Sequence, residues 1–378
     1  MELTFRRPAK YCILGPYPES DNYSIARYFN FYRKGLPELL ENNVDSCCPG
    51  EIGTIDSAQL PQVSRTRAWV DNYVKWPLRL RNSKSECFHI VDQGLMWYSQ
   101  FLCRSRRLGT VHDLIAHLIC HGKLPFAAPP LKRRPIIWEN TRQLLRLDHI
   151  ISVSEHTASC LVRELSIPAA RITVVPNHVD DSFYPLTDEE RRLARTKWFG
   201  DAEYVVIHVG KASVYKNRLG AIKAFSLLRK QIPSARMFLV HGAPTAQELS
   251  CIREKQCRES IKFLPACGAA ELREFYGCAD VLIFPSLYEG FGWPPLEAMA
   301  SGCPVVTTTA ASLREVVGDA GLTVDGPHDH QRMAELLRSV LKDRATRDNL
   351  RQRGLDRAKL FSPERALRTV AELYKQVA

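Results

Sequence analysis

Phe284-Pro285-Ser286-Leu287-Tyr288-Glu289-Gly290-Phe291-Gly292-Trp293-Pro294-Pro295-Leu296-Glu297-Ala298-Met299-Ala300 is the stretch whose reading decides the fold. The apolar run Val281-Leu282-Ile283-Phe284 leading into it reads as a strand buried on both faces, the pattern of a parallel sheet. Gly290 and Gly292 let the backbone bend and approach a ligand, while Pro294 and Pro295 suit a helix start, where a missing N–H costs nothing. In open α/β sheets ligands sit beyond the carboxyl ends of the strands, and amides exposed at a helix N-terminus favour anions. A polar, anionic ligand therefore belongs at this turn. Glu289 and Glu297 flank it; taken alone, they read equally well as a solvated loop residue and a favourable charge in a first helical turn.

The alternation of strand and helix extends outward from this corner. Strands are predicted at Tyr204–Val209, Met237–Val240, Ile261–Leu264, Val281–Phe284 and Val305-Val306, with helices over 217–231, 245–257, 269–278 and 295–301. In the first half, Tyr11–Leu14, Phe88–Val91, Gly109–Val111, His149–Val153 and Ile172–Val175 are the strand-like runs, and Ser154 reads as the N-cap of a helix ending near Leu165. A charged helical stretch, Thr187 to Phe199, links the halves, and Ser362-Pro363-Glu364 opens a last amphipathic helix. Such alternation argues for parallel sheets wrapped by helices, and 378 residues exceed what one core usually serves.

With 45% hydrophobic and 25% charged residues the composition is that of a globular protein. The segment Met1–Pro8 lacks the apolar core of a signal peptide, and no apolar run reaches membrane-spanning length, so a cytoplasmic location is expected. The 12 cysteines are scattered, with one adjacent pair at Cys47-Cys48 and no Cys-x-x-Cys spacing; they read as buried or incidental thiols. The net charge of +11 is concentrated, since residues 65–146 hold 15 Lys or Arg against 5 Asp or Glu. Arg104-Ser105-Arg106-Arg107 and Lys132-Arg133-Arg134 are the densest runs, interleaved with Trp69, Tyr73, Trp76, Trp97, Tyr98 and Phe101. Such a surface suits anionic lipid headgroups or an anionic acceptor, and equally a basic face that simply meets water. No helix-turn-helix, zinc-finger or RNA-binding aromatic signal accompanies it, so nucleic acid is not the expected partner.

Glu-Gly-Phe-Gly from Glu289, followed by Pro-x-x-Glu-Ala-Met-Ala-Ser-Gly-x-Pro-Val-Val, resembles the donor-site signature of family-4 retaining glycosyltransferases. Tyr204–Lys211 with Lys216-Asn217 is similar to the strand that opens that family's second domain. Ser154-Glu155 with Val174–Asn177 and Asp180 resembles the close of the first, and Val111-His112-Asp113-Leu114 its histidine segment. The resemblance implies a GT-B fold: two Rossmann-like β/α/β domains facing a deep inter-domain cleft. It divides the chain into an acceptor-side domain 1–181, a nucleotide-sugar domain 182–360, and a helix 361–378 crossing back to the first.

The same resemblance implies the site. Lys211 and Lys216 grip the donor diphosphate, Glu289 accepts hydrogen bonds from the sugar, and backbone amides of Gly290, Phe291 and Gly292 contact sugar or phosphate. Glu297 holds the ribose, and the turn from Thr309 to Leu313 adds further amides. His112, at a strand end, contacts the sugar near its reactive carbon and can donate a hydrogen bond to developing charge. Departing a diphosphate needs positive charge. No Asp-x-Asp sequence is present, so no metal ligands and no cofactor are expected, and the two lysines are the natural substitutes.

Three departures from the family pattern stand out. Lys211 replaces the commoner arginine, exchanging a forked donor for a point charge. Gly15-Pro16-Tyr17-Pro18 makes a stiffer first loop, and His178 stands where a glycine is usual, predicting a strained or rearranged turn. The implied activity is retaining, metal-independent transfer of a sugar from a nucleoside diphosphate sugar to a hydroxyl acceptor, glycan, lipid-linked or small. Domain closure would exclude water. The alternatives are a GT-B phosphorylase, a sugar-nucleotide epimerase, and a non-catalytic nucleotide-sugar-binding protein. Peripheral contact with an anionic membrane at its inner face is a further expectation.

Overall fold

A computed structural model of the chain describes residues 10–16, 23–48 and 70–378. Met1–Pro8, Tyr17-Pro18 of the first loop, and Arg65 to Trp69 of the basic stretch lie outside the described residues. The chain forms two units: one reaches Pro176 and takes back Glu364–Ala378, and the other is Asn177–Pro363. The sequence reading had put these borders near 181 and 360.

The first unit holds a parallel sheet of β1 (Tyr11–Leu14), β2 (Val44–Cys47), β3 (Cys87–Ile90), β4 (Arg106–Val111), β5 (His149–Ser152) and β6 (Ile172–Val174). Their order is β2-β1-β3-β4-β5-β6. The β1 and β3 segments are fully buried, as strands covered by helices on both faces must be. Helix Pro363–Val377 belongs to this unit, and its buried Tyr374 stacks 5.2 Å from Tyr11.

The second unit holds β7 (Tyr204–Val209), β8 (Ala235–Val240), β9 (Ile261–Leu264), β10 (Val281–Phe284), β11 (Val305–Thr308) and β12 (Leu322–Val324). They run parallel in the order β12-β11-β10-β7-β8-β9. This is the dinucleotide-binding strand order, in which the winding reverses between the first and fourth strands, here β7 and β10. Those two pair through Val281 with Val206 and Leu282 with Ile207. Val206, Ile283 and Val306 pack with Phe225, Leu228 and Leu337 from the covering helices in one apolar core. Helices start on well-formed caps: Thr187 and Thr245 make reciprocal capping boxes with Glu190 and Glu248.

β2 and β12 escape the sequence reading, as do helices His330–Lys342 and Arg344–Ala358. Of the strained or rearranged turn expected at His178, left-handed strain is not what forms, because His178 takes no positive φ. Its side chain is buried, and its carbonyl accepts a hydrogen bond from Trp293 Nε1 at 3.2 Å. Among the described residues no helix is long and apolar enough to cross a membrane.

Candidate active site

The reversal point between β7 and β10 carries two loops that are knitted together. After β7 the chain bends at Gly210 (φ +154) and passes Lys211, exposed, and Lys216 before Asn217 opens helix Arg218–Gln231. Asn217 adopts a left-handed conformation that its short amide tolerates, and its Oδ1 caps the helix by accepting from Gly220 N at 3.1 Å. Its Nδ2 reaches across to the carbonyls of Pro285 (2.9 Å) and Pro327 (3.0 Å). Leu287 N donates to Tyr215 O at 2.7 Å, completing the seam.

At the centre of the seam Lys216 Nζ donates to Glu289 Oε1 at 2.8 Å, and Ser286 Oγ donates to the same oxygen at 2.8 Å. Glu289 is only 7% exposed, so its charge depends on these partners. The Lys216 ammonium also lies 5.1 Å from the Phe284 ring centroid. The peptide that follows is held from behind: Ser312 Oγ lies 2.8 Å from the carbonyls of both Glu289 and Phe291. None of the amides of Gly290, Phe291 and Gly292 donates a hydrogen bond among the described residues. With their carbonyls tied back and helix Trp293–Ala300 following, these N–H groups form a ready anion site.

Glu297, on that helix, is buried and receives Tyr276 OH on Oε2 at 3.2 Å. Burial and the Glu297 charge push the Tyr276 hydroxyl well above its ordinary pKa, so it stays a proton donor. Cys267, in the loop after β9, is raised to about 11 by burial first and then by the charges of Glu271 and Glu297.

Deeper down lies a layer that the sequence reading missed. His208, at the end of β7, is fully buried; its Nδ1 lies 3.0 Å from Ile283 O, and its Nε2 has no partner. Burial first, then nearby Arg218 and Lys216, lower its pKa to about 3, so it is neutral. Arg218, 2% exposed, pairs with buried Glu248 at 3.0 Å, and burial lowers its pKa. His241 sits at the end of β8 in a left-handed turn (φ +72), and burial followed by the Lys211 charge lowers its pKa. The signal available in sequence was position for the two histidines, which lie at or just beyond the carboxyl ends of β7 and β8.

In the first unit, His112 directly follows β4. Its Nε2 lies 2.9 Å from Val91 O and its amide donates to Gln93 Oε1 at 3.0 Å. The Tyr28 ring packs edge-on at 4.8 Å. Burial lowers the His112 pKa, with Val91 and Asp113 opposing. Facing a carbonyl, Nε2 must carry the proton, which leaves Nδ1 as an acceptor. The ring thus turns its Nε2–H to Val91 O and leaves Nδ1 as its acceptor nitrogen.

Two Rossmann-like units, one with lysines and undonated amides at its sheet reversal, define a GT-B scaffold. Residues 35–183 match the family model Glycosyltransferase Family 4, and residues 191–357 match Glycosyl transferases group 1. The chain belongs to that family. It is 31% identical over 229 residues to the O-antigen chain mannosyltransferase B of Escherichia coli, covering 60% of each chain. It spans 60% of that relative's length and 46% of mannosylfructose-phosphate synthase of Agrobacterium fabrum, less than two thirds of either. Among solved structures, sucrose-phosphate synthase from Thermosynechococcus elongatus superposes with a TM-score of 0.75 at 20% identity, over 97% of this chain and 98% of that one. HepE of Anabaena, in complex with UDP and glucose, gives 0.76 at 16% identity over 97% and 99%. At these identities the likeness speaks for the fold alone.

Proposed function

We propose that the chain is a retaining, metal-independent glycosyltransferase that moves a sugar from a nucleoside diphosphate sugar to a hydroxyl acceptor. The observation that carries this reading is the meeting of Lys216, Glu289 and three undonated amides at the β7/β10 reversal. An ammonium has three protons; one is spent on Glu289, and two remain for phosphate oxygens. Lys211 and the amides of residues 290–292 add to the positive field around the diphosphate. In this reading the charge of the departing diphosphate is neutralised by these side chains and amides.

In this reading the acceptor oxygen attacks the anomeric carbon on the face from which the diphosphate departs. The carbon–oxygen bond breaks with its electron pair going to the phosphate oxygen, and that oxygen takes the proton of the acceptor hydroxyl. No enzymic nucleophile is needed. Glu289 Oε2 orients sugar hydroxyls, Glu297 holds the ribose, and His112 Nδ1 receives a substrate hydroxyl. The UDP and glucose bound to HepE, and the mannosyl transfer in the name of the E. coli relative, support a nucleotide-sugar donor. We place the enzyme in the cytoplasm, with an acceptor that is lipid-linked or free.

A thermal-shift screen of UDP-, GDP- and ADP-sugars, mannosyl donors first, tests the donor site. The anomeric configuration of the product, read by NMR, tests retention. Stabilisation by one donor class and a product of unchanged anomeric configuration are expected. No shift with any donor would sink the reading, and phosphate-dependent sugar release would replace it with a phosphorylase.

A further inference from the structure

We propose that the outer face of the first unit formed by the 122–134 loop and helix Arg134–Leu144 docks on an anionic lipid bilayer. The loop carries eight apolar residues in a row, Leu124-Pro125-Phe126-Ala127-Ala128-Pro129-Pro130-Leu131, bracketed by Lys123 and by Lys132-Arg133-Arg134. Most of this run is at the surface, and Leu131 is 75% exposed. On the helix that follows, Trp138 is 54% exposed, and Leu145 just beyond it is 46% exposed. Positions 134, 138, 142 and 145 fall on one helical stripe, so Arg134, Trp138, Arg142 and Leu145 line up along a single outward edge. A helix that only faced water would keep that edge polar; cationic heads beside Trp and Leu are the pattern of a helix lying in a membrane interface.

The charges agree. Residues 121–146 hold six Lys or Arg against one Glu, a net of +5, and that Glu139 is already bound by Arg142 at 2.8 Å. Lys123 is taken up by Glu164, but Lys132 and Arg133 have no acidic partner among the described residues. The other basic run behaves differently: Arg106 and Arg107 both lie against Asp148, at 3.0 and 3.5 Å, at the amino end of β4. Lipid contact therefore belongs to the second run.

Topology places the face usefully. β4 and β5 are parallel, so helix Arg134–Leu144 is the return arm between them, and its amino end with the preceding loop lies at the carboxyl edge of the sheet. That is the edge where His112 follows β4. A hydroxyl acceptor anchored in the bilayer would be presented on the side of the sheet that carries His112. This use of the face rests on the transferase reading, whereas attachment itself does not.

Co-sedimentation of the full chain with phosphatidylcholine vesicles, with and without about one-third phosphatidylglycerol, tests the proposal. The chain should pellet with the anionic vesicles and not with the neutral ones. Binding should fall about tenfold in the Lys132→Ser/Arg133→Ser pair and again in the Leu131→Ser/Trp138→Ser pair, with Arg104→Ser unchanged. All variants should keep the wild-type thermal shift with donor, which reports folding and the donor site separately. Equal binding to both vesicle types, or either pair binding like wild type, overturns the proposal. Vesicle binding without any donor shift would instead spare it and overturn the transferase reading.

Discussion

Lys216 Nζ and Glu289 Oε1, 73 residues apart in sequence, meet at 2.8 Å and join the loops after β7 and β10 at the point where the sheet reverses. Both side chains are largely buried, at 17% and 9% exposure, so the contact is charge-assisted and poorly screened by salt. Glu289→Gln keeps the shape and the Ser286 contact but removes the charge. Charged hydrogen bonds contribute about 1.5–3 kcal/mol, so kcat should fall about 10- to 150-fold, with melting temperature changed little. Steady-state kinetics checks this; a variant within twofold of wild type would remove Glu289 from the chemistry. Lys216→Met should do worse for stability, because it leaves the buried carboxylate without its counter-charge.

Tyr276 should act on the donor only through Glu297. Its hydroxyl fixes Oε2 at 3.2 Å from inside the core, where no substrate reaches it. Tyr276→Phe keeps the ring packing and frees the carboxylate to turn. The donor KM should rise about 3- to 10-fold with kcat nearly constant, in line with the loss of one hydrogen bond. A fall in kcat at unchanged KM would show that Glu297 serves the reaction centre instead of the ribose.

Acid sensitivity follows from histidines buried as neutral rings, His89 and His208 foremost. His89 lies between Tyr374 OH and Thr110 Oγ1, each at 2.7 Å, and His208 lies beneath Lys216; burial lowers both pKa values to about 3. Between that value and the ordinary 6.5 the unfolded chain binds the extra protons. Stability is therefore complete above about pH 6.5 and is lost as pH falls, by up to about 1.4 kcal/mol per unit for each ring. Urea titrations at pH 7.5 and 5.5 should show the loss. His208→Asn, whose amide can replace Nδ1 toward Ile283, should show a smaller one; an identical pH dependence would mean that His208 is solvated.

The sequence was most readable where burial is greatest. β7 and β10 announce themselves as unbroken apolar runs, and the glycine and proline signals fix the turn between β10 and its helix. The edge strands β2 and β12 were not legible, because Val-Asp-Ser-Cys and Leu-Thr-Val are short, partly exposed and chemically mixed. An edge strand pairs on one side only, so its residues need not be apolar. Site residues aligned with a motif could be named in advance. Those defined by a distant partner could not: Tyr276 and Ser312 carry no local pattern, and their roles arise from contacts spanning 21 and 23 residues. At His178 residue type alone left a strained and a rearranged turn open, and the backbone, which takes no positive φ there, excludes left-handed strain.

Gly292 is the position where backbone geometry itself should prove functional. It sits at φ +108, and a Cβ there would lie 2.8 Å from Leu313 Cδ2, on the segment whose Ser312 ties back the carbonyls of Glu289 and Phe291. Gly292→Ala therefore meets a backbone angle that side chains avoid, together with a contact that the Leu313 side chain must turn to relieve. Residues held in such regions cost about 1–3 kcal/mol, so the variant should lose that much stability and lose its donor-induced thermal shift. Gly326→Ala is the matched comparison: its backbone angle is ordinary and its nearest neighbour, Asp329 Cβ, would be 3.8 Å away. It should melt and bind donor like wild type. If Gly292→Ala does the same, the three free amides do not need their present aim, and the phosphate must be held by the lysines alone.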